Sequence, residues 1–347
     1  MEAPQHAPVA AEPATATVPA SSTVPSSATR PTSTTEPASA TRPTSATAPA
    51  SAEQPRSSEQ PDRVILGDNL PIIHDLPGAS FRLIYLDPPF NTGRAQQRQP
   101  ISVRRVADED VALATRIGFQ GRSYESVKGA LSRYDDRFTD YWQFLEPRLI
   151  EAWRLLDDRG TLYLHLDYRE SHYAKVVLDA LFGRDHFLNE IIWAYDYGAR
   201  TNRRWPTKHD TILVYVKNPL TYYFDNATVD REPYMAPGLV TPEKVERGKL
   251  PTDVWWHTIV SPTGREKTGY PTQKPEGVLR RIIQASSAPG DWVLDFFAGS
   301  GTTGAVASAL GRRFVLVDQH AGAIDIMRRR LPDTTVFSTA IPNPVAP

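Results

Sequence analysis

The sequence predicts a doubly wound α/β fold, a mostly parallel sheet of about seven strands with helices on both faces. Three observations carry this expectation. Short apolar runs recur from Val64 onward, segments of helical period separate them, and two of the runs stop abruptly at an acid followed by turn residues. Strands are expected at Val64–Leu66, Arg82–Leu86, Thr161–Leu166, Glu190–Tyr195, Thr211–Val216, Trp292–Phe296 and Phe314–Val317, because unbroken apolar runs mark strands buried on both faces. Between them, "FLEPRLIEAWRLL", "SHYAKVVLDALF", "PEGVLRRIIQAS" and "TTGAVASAL" space their apolar residues as helices do.

A chain of 347 residues can bury a substantial core. It contains no cysteine, which excludes disulfides, thiolate metal sites and a cysteine nucleophile, and no metal is expected. No run is apolar over the roughly 18 residues that a membrane span needs, and the start, "MEAPQHAPVAAEP", lacks the parts of a secretory signal. The reading is a cytosolic protein with no membrane partner. Net charge is -1; setting residues 1–61 aside leaves 36 basic against 35 acidic residues, so a nucleic-acid face has to be a local patch. Residues 1–61 are almost all Pro, Ala, Ser and Thr, with "ATRPTS" twice. Too little apolar side chain is available there to offset ordering entropy, and a disordered tail is expected.

The stretch "GDWVLDFFAGSGTTGAVASALGRRFVLVD" reads as strand, glycine turn, helix and strand. Gly299 and Gly301 let backbone approach a ligand, and the helix beginning at Thr302 or Thr303 presents unpaired N–H groups. Asp318 closes the next strand, where an acid can accept from a ribose diol. Gly304 completes a G-x-G-x-x-G spacing, yet Asp295 just ahead of it would repel a diphosphate and attract an ammonium. A nucleoside with a cationic amino-acid end therefore fits better than NAD, and S-adenosylmethionine is such a ligand.

Three motifs in this order, "LDPPFNTG", "YPTQKP" and "DFFAGSGTTG", resemble the amino-directed DNA methyltransferases, in the group whose substrate motif precedes the cofactor motif. "YLHLDYRESHYAKVVLDALFG" and "NEIIWAYD" resemble the modification subunits of restriction systems. The resemblance implies a circularly permuted, Rossmann-like, S-adenosylmethionine-dependent sheet over 62–335 with insertions at about 95–138 and 197–270 for DNA recognition, and a flexible end at 336–347. It places Asp68 and Asn69, Thr272, Gln273 and Lys274, and Asp295, Phe297, Gly299, Ser300, Gly301, Thr302, Thr303 and Asp318 around the cofactor. Two departures stand out: Phe296 where the family usually has Pro, and Asp318 where it usually has Glu. The implied partners are double-stranded DNA, with room for a homodimer and a cognate restriction endonuclease.

The residues of "DPPF" explain why the first strand halts. An exocyclic base amine is a weak nucleophile because its lone pair is delocalised into the ring. Asp87 and the Pro88 carbonyl can grip its N–H bonds, with Pro89 fixing the backbone and Phe90 offering a stacking face. The target must first be flipped from the duplex. Within the family an acid at the first motif position usually accompanies adenine, so N6 of adenine is the expected target, with N4 of cytosine as the alternative. An RNA or protein-amide methyltransferase and a non-catalytic DNA-binding subunit are the rival readings. For DNA contact, "GARTNRRWPTKHD" gathers Arg200, Arg203, Arg204, Trp205 and Lys208, and "QRQPISVRR" is a second candidate. His165 is expected to be a satisfied structural histidine, and the "RRR" at 328–330 a solvated helix end.

Overall fold

Each of the seven apolar runs becomes a strand, and the computed structural model joins these with two more into one nine-stranded sheet. The structure describes residues 61–91, 141–198, 200–261 and 263–338, and between 94 and 136 the backbone of five short strands. In chain order the elements are β1 (Arg63–Leu66), α1 (Asn69–His74), β2 (Phe81–Leu86), β3 (Arg94–Arg98), β4 (Ile101–Arg105), β5 (Arg116–Ile117), β6 (Ser123–Lys128), β7 (Ser132–Asp136), α2 (Tyr141–Leu155), β8 (Leu156–Leu166), α3 (Ser171–Phe182), β9 (Phe187–Ala194), β10 (His209–Val216), α4 (Pro242–Arg247), β11 (Val254–Trp256), α5 (Glu276–Ser286), β12 (Trp292–Asp295), α6 (Thr302–Ala309), β13 (Arg313–Asp318), α7 (Ala321–Arg330) and β14 (Thr335–Ser338).

The large sheet runs β11-β9-β10-β8-β2-β12-β13-β1-β14, and within it only β10 opposes its neighbours. All seven expected strands are present. The two additional ones, β11 and β14, are short edge strands, too brief to show a period. Strand β14 pairs with β1 from Thr335 to Ser338, so the domain extends past 335; of the flexible end expected at 336–347, residues 336–338 are in a strand and the rest fall outside the described residues. Nor is 197–270 one insertion: β10 lies inside it and sits near the middle of the sheet. The expected tail at 1–61 and the "QRQPISVRR" side chains fall outside the described residues, apart from Pro61 at the tail's end.

Alternation along β2 shows how both faces are covered. Ile84 and Leu86 join Leu145, Leu149 and Leu178 of α2 and α3 on one face. Leu83 and Tyr85 join Leu279, Ile282, Val306 and Met327 of α5, α6 and α7 on the other. Deleting one such buried leucine costs about 2–5 kcal/mol. At the foot of β2 the buried Arg82 guanidinium bridges Asp157 at 3.0 Å and Asp291 at 3.3 Å, tying β8 and the approach to β12 to the same strand.

The position of β2 beside β12 matters most for function. They pair in parallel, Leu83 with Val293 and Ile84 with Leu294, but α2 and α6 cover opposite faces. A crevice opens at the carboxyl ends of such a strand pair, at the switch point where ligands of doubly wound sheets bind.

Candidate active site

One cleft occupies this crevice. Asp87, Pro88, Pro89 and Phe90 after β2 line it together with Asp295, Phe297, Gly299, Ser300, Thr302 and Thr303 after β12, Asp318 after β13, and Thr272 and Lys274 from the segment entering α5. The two motifs lie far apart in the chain and share this cleft because their strands are neighbours.

On the β12 side the carboxylates are held by the turn itself. Asp295 is 2% exposed and accepts from the Thr303 hydroxyl at 2.6 Å and the Phe297 amide at 3.0 Å. Burial outweighs these bonds and lifts its pKa to about 7, with the charges of Asp87 and Asp318 adding to the rise. Asp318 accepts from the Gly299 amide at 2.9 Å and the His320 amide at 2.8 Å, and its pKa is also raised, chiefly by burial. Each oxygen keeps a further lone pair for a ligand hydroxyl. Gly299 has φ of +50°, and a Cβ there would meet the Tyr270 ring at 2.9 Å. Gly304 is required for a different reason: a Cβ there would lie 2.6 Å from Leu316 of β13, so the bare backbone lets α6 pack against the sheet.

On the β2 side Asp87 meets the Lys274 ammonium in an ion pair, and that ammonium lies 5.1 Å from the centre of the Phe90 ring. The Lys274 carbonyl accepts from Thr302 Oγ1 at 3.1 Å, fastening this segment to the start of α6. Beneath Asp87, the buried His165 ring packs 5.8 Å from Phe90. Asn91, in the left-handed region at φ of +50°, turns the chain away and donates to Glu170 at 2.9 Å.

Not every expected residue reaches the cleft. Gln273 is directed into its own loop, accepting from Thr268 N and Oγ1 at 2.8 Å each and donating to the Glu266 carbonyl at 2.6 Å. Asp68 caps α1 through Leu70 N at 3.2 Å and pairs with Arg148 at 2.9 Å, while Asn69 donates to the Phe296 carbonyl at 2.7 Å. Asn69 and Arg148 line the cleft, whereas Asp68 lies outside its lining with its carboxylate more than half exposed. Gly301 is the N-cap of α6 and is likewise set back from the lining. Arg330 is no solvated helix end: it donates to the Ser300 carbonyl at 3.2 Å and Thr302 Oγ1 at 3.1 Å, and pairs with Glu276 at 2.6 Å. The helical period carried that signal, since position 330 follows Ala323 and Met327 on the buried face of α7. Tyr270, Phe144 and Arg148 also line the cleft without having been singled out.

The loop from Tyr195 to Lys208 leaves β9 at the same end of the sheet as Asp87 and Asp295. Arg200, Arg203, Arg204 and Trp205 are exposed there, the tryptophan at 95%. Arg204 donates to the Tyr168 hydroxyl at 3.2 Å, and Tyr168 is flanked by Arg169 and Arg204 at 5.4 and 5.5 Å. Lys208 is half-buried and donates to the Gly198 carbonyl at 3.4 Å.

Chemically, the cleft offers an acid beside an aromatic ring at one end, and two buried carboxyl groups around a glycine turn at the other. The DNA methylase family profile matches residues 81–329. The chain belongs to this family. DNA adenine methyltransferase YhdJ of Escherichia coli (strain K12) is 31% identical over 283 residues, covering 79% of this chain and 84% of that protein. Type II methyltransferase M.HpaI of Haemophilus parainfluenzae is 28% identical over 271 residues, covering 78% and 74%. Among solved structures, the PvuII DNA methyltransferase (cytosine-N4-specific) superposes with a TM-score of 0.50 at 15% identity, over 80% of this chain and 95% of that one, a likeness of fold. This DNA methylase is thus an S-adenosylmethionine-dependent enzyme of the N6-adenine or N4-cytosine type. Its cleft fits that cofactor's chemistry, with two buried acids for an ammonium and a ribose, an ammonium for a carboxylate, and a glycine cradle that a Cβ would fill.

Proposed function

We propose that this protein methylates the N6 amine of a flipped adenine at a defined site in double-stranded DNA. The observation that carries the proposal is the shared cleft: the Asp87 carboxylate and the Gly299 turn stand at the ends of two adjacent parallel strands. Asp87 and the Pro88 carbonyl grip the amine, Pro89 sets the carbonyl's direction, and Phe90 stacks on the base. Because the two acceptors draw on both N–H bonds, the nitrogen lone pair is released from the ring and turned toward the methyl group. The bound cofactor supplies an electrophilic methyl on a sulfonium; everything else is positioning and stabilisation of charge growing on the amine.

In this reading Asp295 receives the cofactor's ammonium and Asp318 its ribose, with Phe297, Ser300, Thr302 and Thr303 around them and Gly299 and Gly301 shaping the cradle. Thr272 and Lys274 face the amino-acid end. Gln273, Asp68 and Asn69 support the site through the contacts given above. The Lys274 ammonium bonds to Asp87 and lies near the Phe90 ring, where the target amine is to be held, so the incoming base displaces it toward the cofactor's carboxylate. Arg200, Arg203, Arg204, Trp205 and Lys208 contact DNA, and the segments at 95–138, 197–208 and 217–270 carry sequence recognition. Adenine is favoured by the acid at position 87 and by the name of the relative YhdJ. A homodimer and a cognate restriction endonuclease are the protein partners that suit a modification enzyme.

Mass spectrometry of nucleosides from DNA treated with the purified protein and S-adenosylmethionine tests this. N6-methyladenine is the expected product. Exclusive N4-methylcytosine would overturn the choice of base, and an absence of methylated nucleosides would overturn the activity.

A further inference from the structure

Below Asp87 lies a chain of polar groups to which the proposed function gives no part. His165, fully buried on β8, places Nδ1 at 2.7 Å from the Tyr85 hydroxyl and 4.0 Å from Asp87 Oδ1. Its Nε2 lies 3.2 Å from Asp210 Oδ2, and Asp210 Oδ1 accepts from the Tyr195 hydroxyl at 3.2 Å. The ring is wedged between Phe90 and Trp193, 5.8 and 5.5 Å away.

Chemistry assigns the tautomer. An ionised carboxylate only accepts, so Nε2 carries the hydrogen toward Asp210, and the Nδ1 lone pair faces Tyr85 and Asp87. Burial alone would raise the pKa of Asp210; the hydrogen bond from His165, the charge of Lys274 and the Tyr195 hydroxyl help to hold it below the ordinary carboxylate value. An anion is therefore maintained behind the imidazole. The ionisable groups around the ring are Tyr85 and Asp87 from β2, Asp210 from β10 and Tyr195 beyond β9, with the charge of Lys274 felt at Asp210 and that of Asp295 at Tyr85.

We propose that His165, backed by Asp210, is a positioning residue that takes over from Asp87 the proton released by the methylated amine. The inference rests on the reading that Asp87 holds that amine. As the N–C bond forms, the S–C bond breaks and sulfur keeps its electron pair, leaving the positive charge on the amine nitrogen. That nitrogen passes one proton to Asp87. Once Lys274 has been displaced, the Asp87 carboxyl turns toward Nδ1, Tyr85 releases that nitrogen, and the proton moves to His165. The resulting imidazolium keeps its Nε2–H on Asp210 until the cleft reopens to solvent. Such a relay restores an ionised Asp87 while DNA still seals the mouth of the cleft.

Multiple-turnover methylation of DNA measured across pH with His165→Gln and Asp210→Asn tests the relay, alongside cofactor affinity and thermal melting. Glutamine keeps a hydrogen-bonding group but cannot take a proton. The expected result is intact cofactor binding, a rate about tenfold or more below wild type near pH 7, and a gap that closes as pH rises and solvent base replaces the relay. Asp210→Asn, which preserves shape, is expected to show a smaller gap with the same pH trend, and it decides the question if His165→Gln does not fold. Rates within twofold of wild type, or a deficit equal at every pH, would overturn the relay and leave His165 a packing residue. Should wild type itself transfer no methyl group to DNA, the underlying reading of Asp87 fails instead.

Discussion

The two ends of the cleft are built on opposite plans. At the β12 end, Asp295 and Asp318 are buried and already hold backbone amides and a hydroxyl of their own turn, so their geometry is set before a ligand arrives. At the β2 end, Asp87 is held by a long side chain from a distant segment, Lys274, which under the proposed function has to move before a base amine can take its place. Under that proposal the cofactor end is preorganised and the base end is guarded. This division suits an enzyme that binds a small charged cofactor repeatedly and admits a base only after flipping it.

Asp87→Ala separates the two ends most strongly. Methyl transfer is expected to fall by a factor on the order of 10³, while cofactor affinity measured by calorimetry stays within about twofold because that end is separately built. A collapse of both would mean the ends are one structural unit. Next in size is Gly299→Ala, whose Cβ would press on Tyr270 at a positive φ. An affinity loss of about 10- to 100-fold is expected, since a strained backbone conformation costs about 1–3 kcal/mol.

Asp295 adds a pH signature to the cofactor end. Its folded pKa is raised from 3.8 to about 7, so the stability it contributes is present in full below its unfolded pKa and lost as pH rises toward 7 in the cofactor-free protein. A cationic ligand reverses the preference, because it favours the ionised form. Cofactor affinity is therefore expected to climb about tenfold, or about 1.4 kcal/mol, per pH unit below 7 and then level off. Titration calorimetry between about pH 5.5 and 8 checks this. Asp295→Asn should flatten the profile. The smallest effects belong to the exposed loop: Arg203→Ala and Arg204→Ala are each expected to reduce the salt dependence of DNA binding by about one phosphate contact and leave cofactor affinity unchanged.

How much of this was legible in the sequence follows from burial. The seven expected strands are apolar because helices or neighbouring chain cover them, and that composition is visible in one dimension. Strands β3 and β7, "RAQQR" and "SRYDD", carry no apolar alternation, and β11 and β14 are three and four residues long, so pattern alone could not find them. The glycine turn and the "DPPF" motif were readable because their chemistry needs particular residues at fixed spacing. The Lys274–Asp87 pair joins segments 187 residues apart, and the contacts of His165 come from three strands. Pairings of that kind exist only after folding, which is why Lys274 was expected at the cofactor alone and His165 in no chain of groups at all.

A crystal structure with S-adenosylhomocysteine, the product left after transfer, would decide whether one cleft joins cofactor and base. Its ribose is expected on Asp318, its ammonium by Asp295, and its sulfur toward Asp87 across the cleft. Density for the product elsewhere, with Asp87 facing an empty cleft and Lys274 still paired to it, would contradict that arrangement.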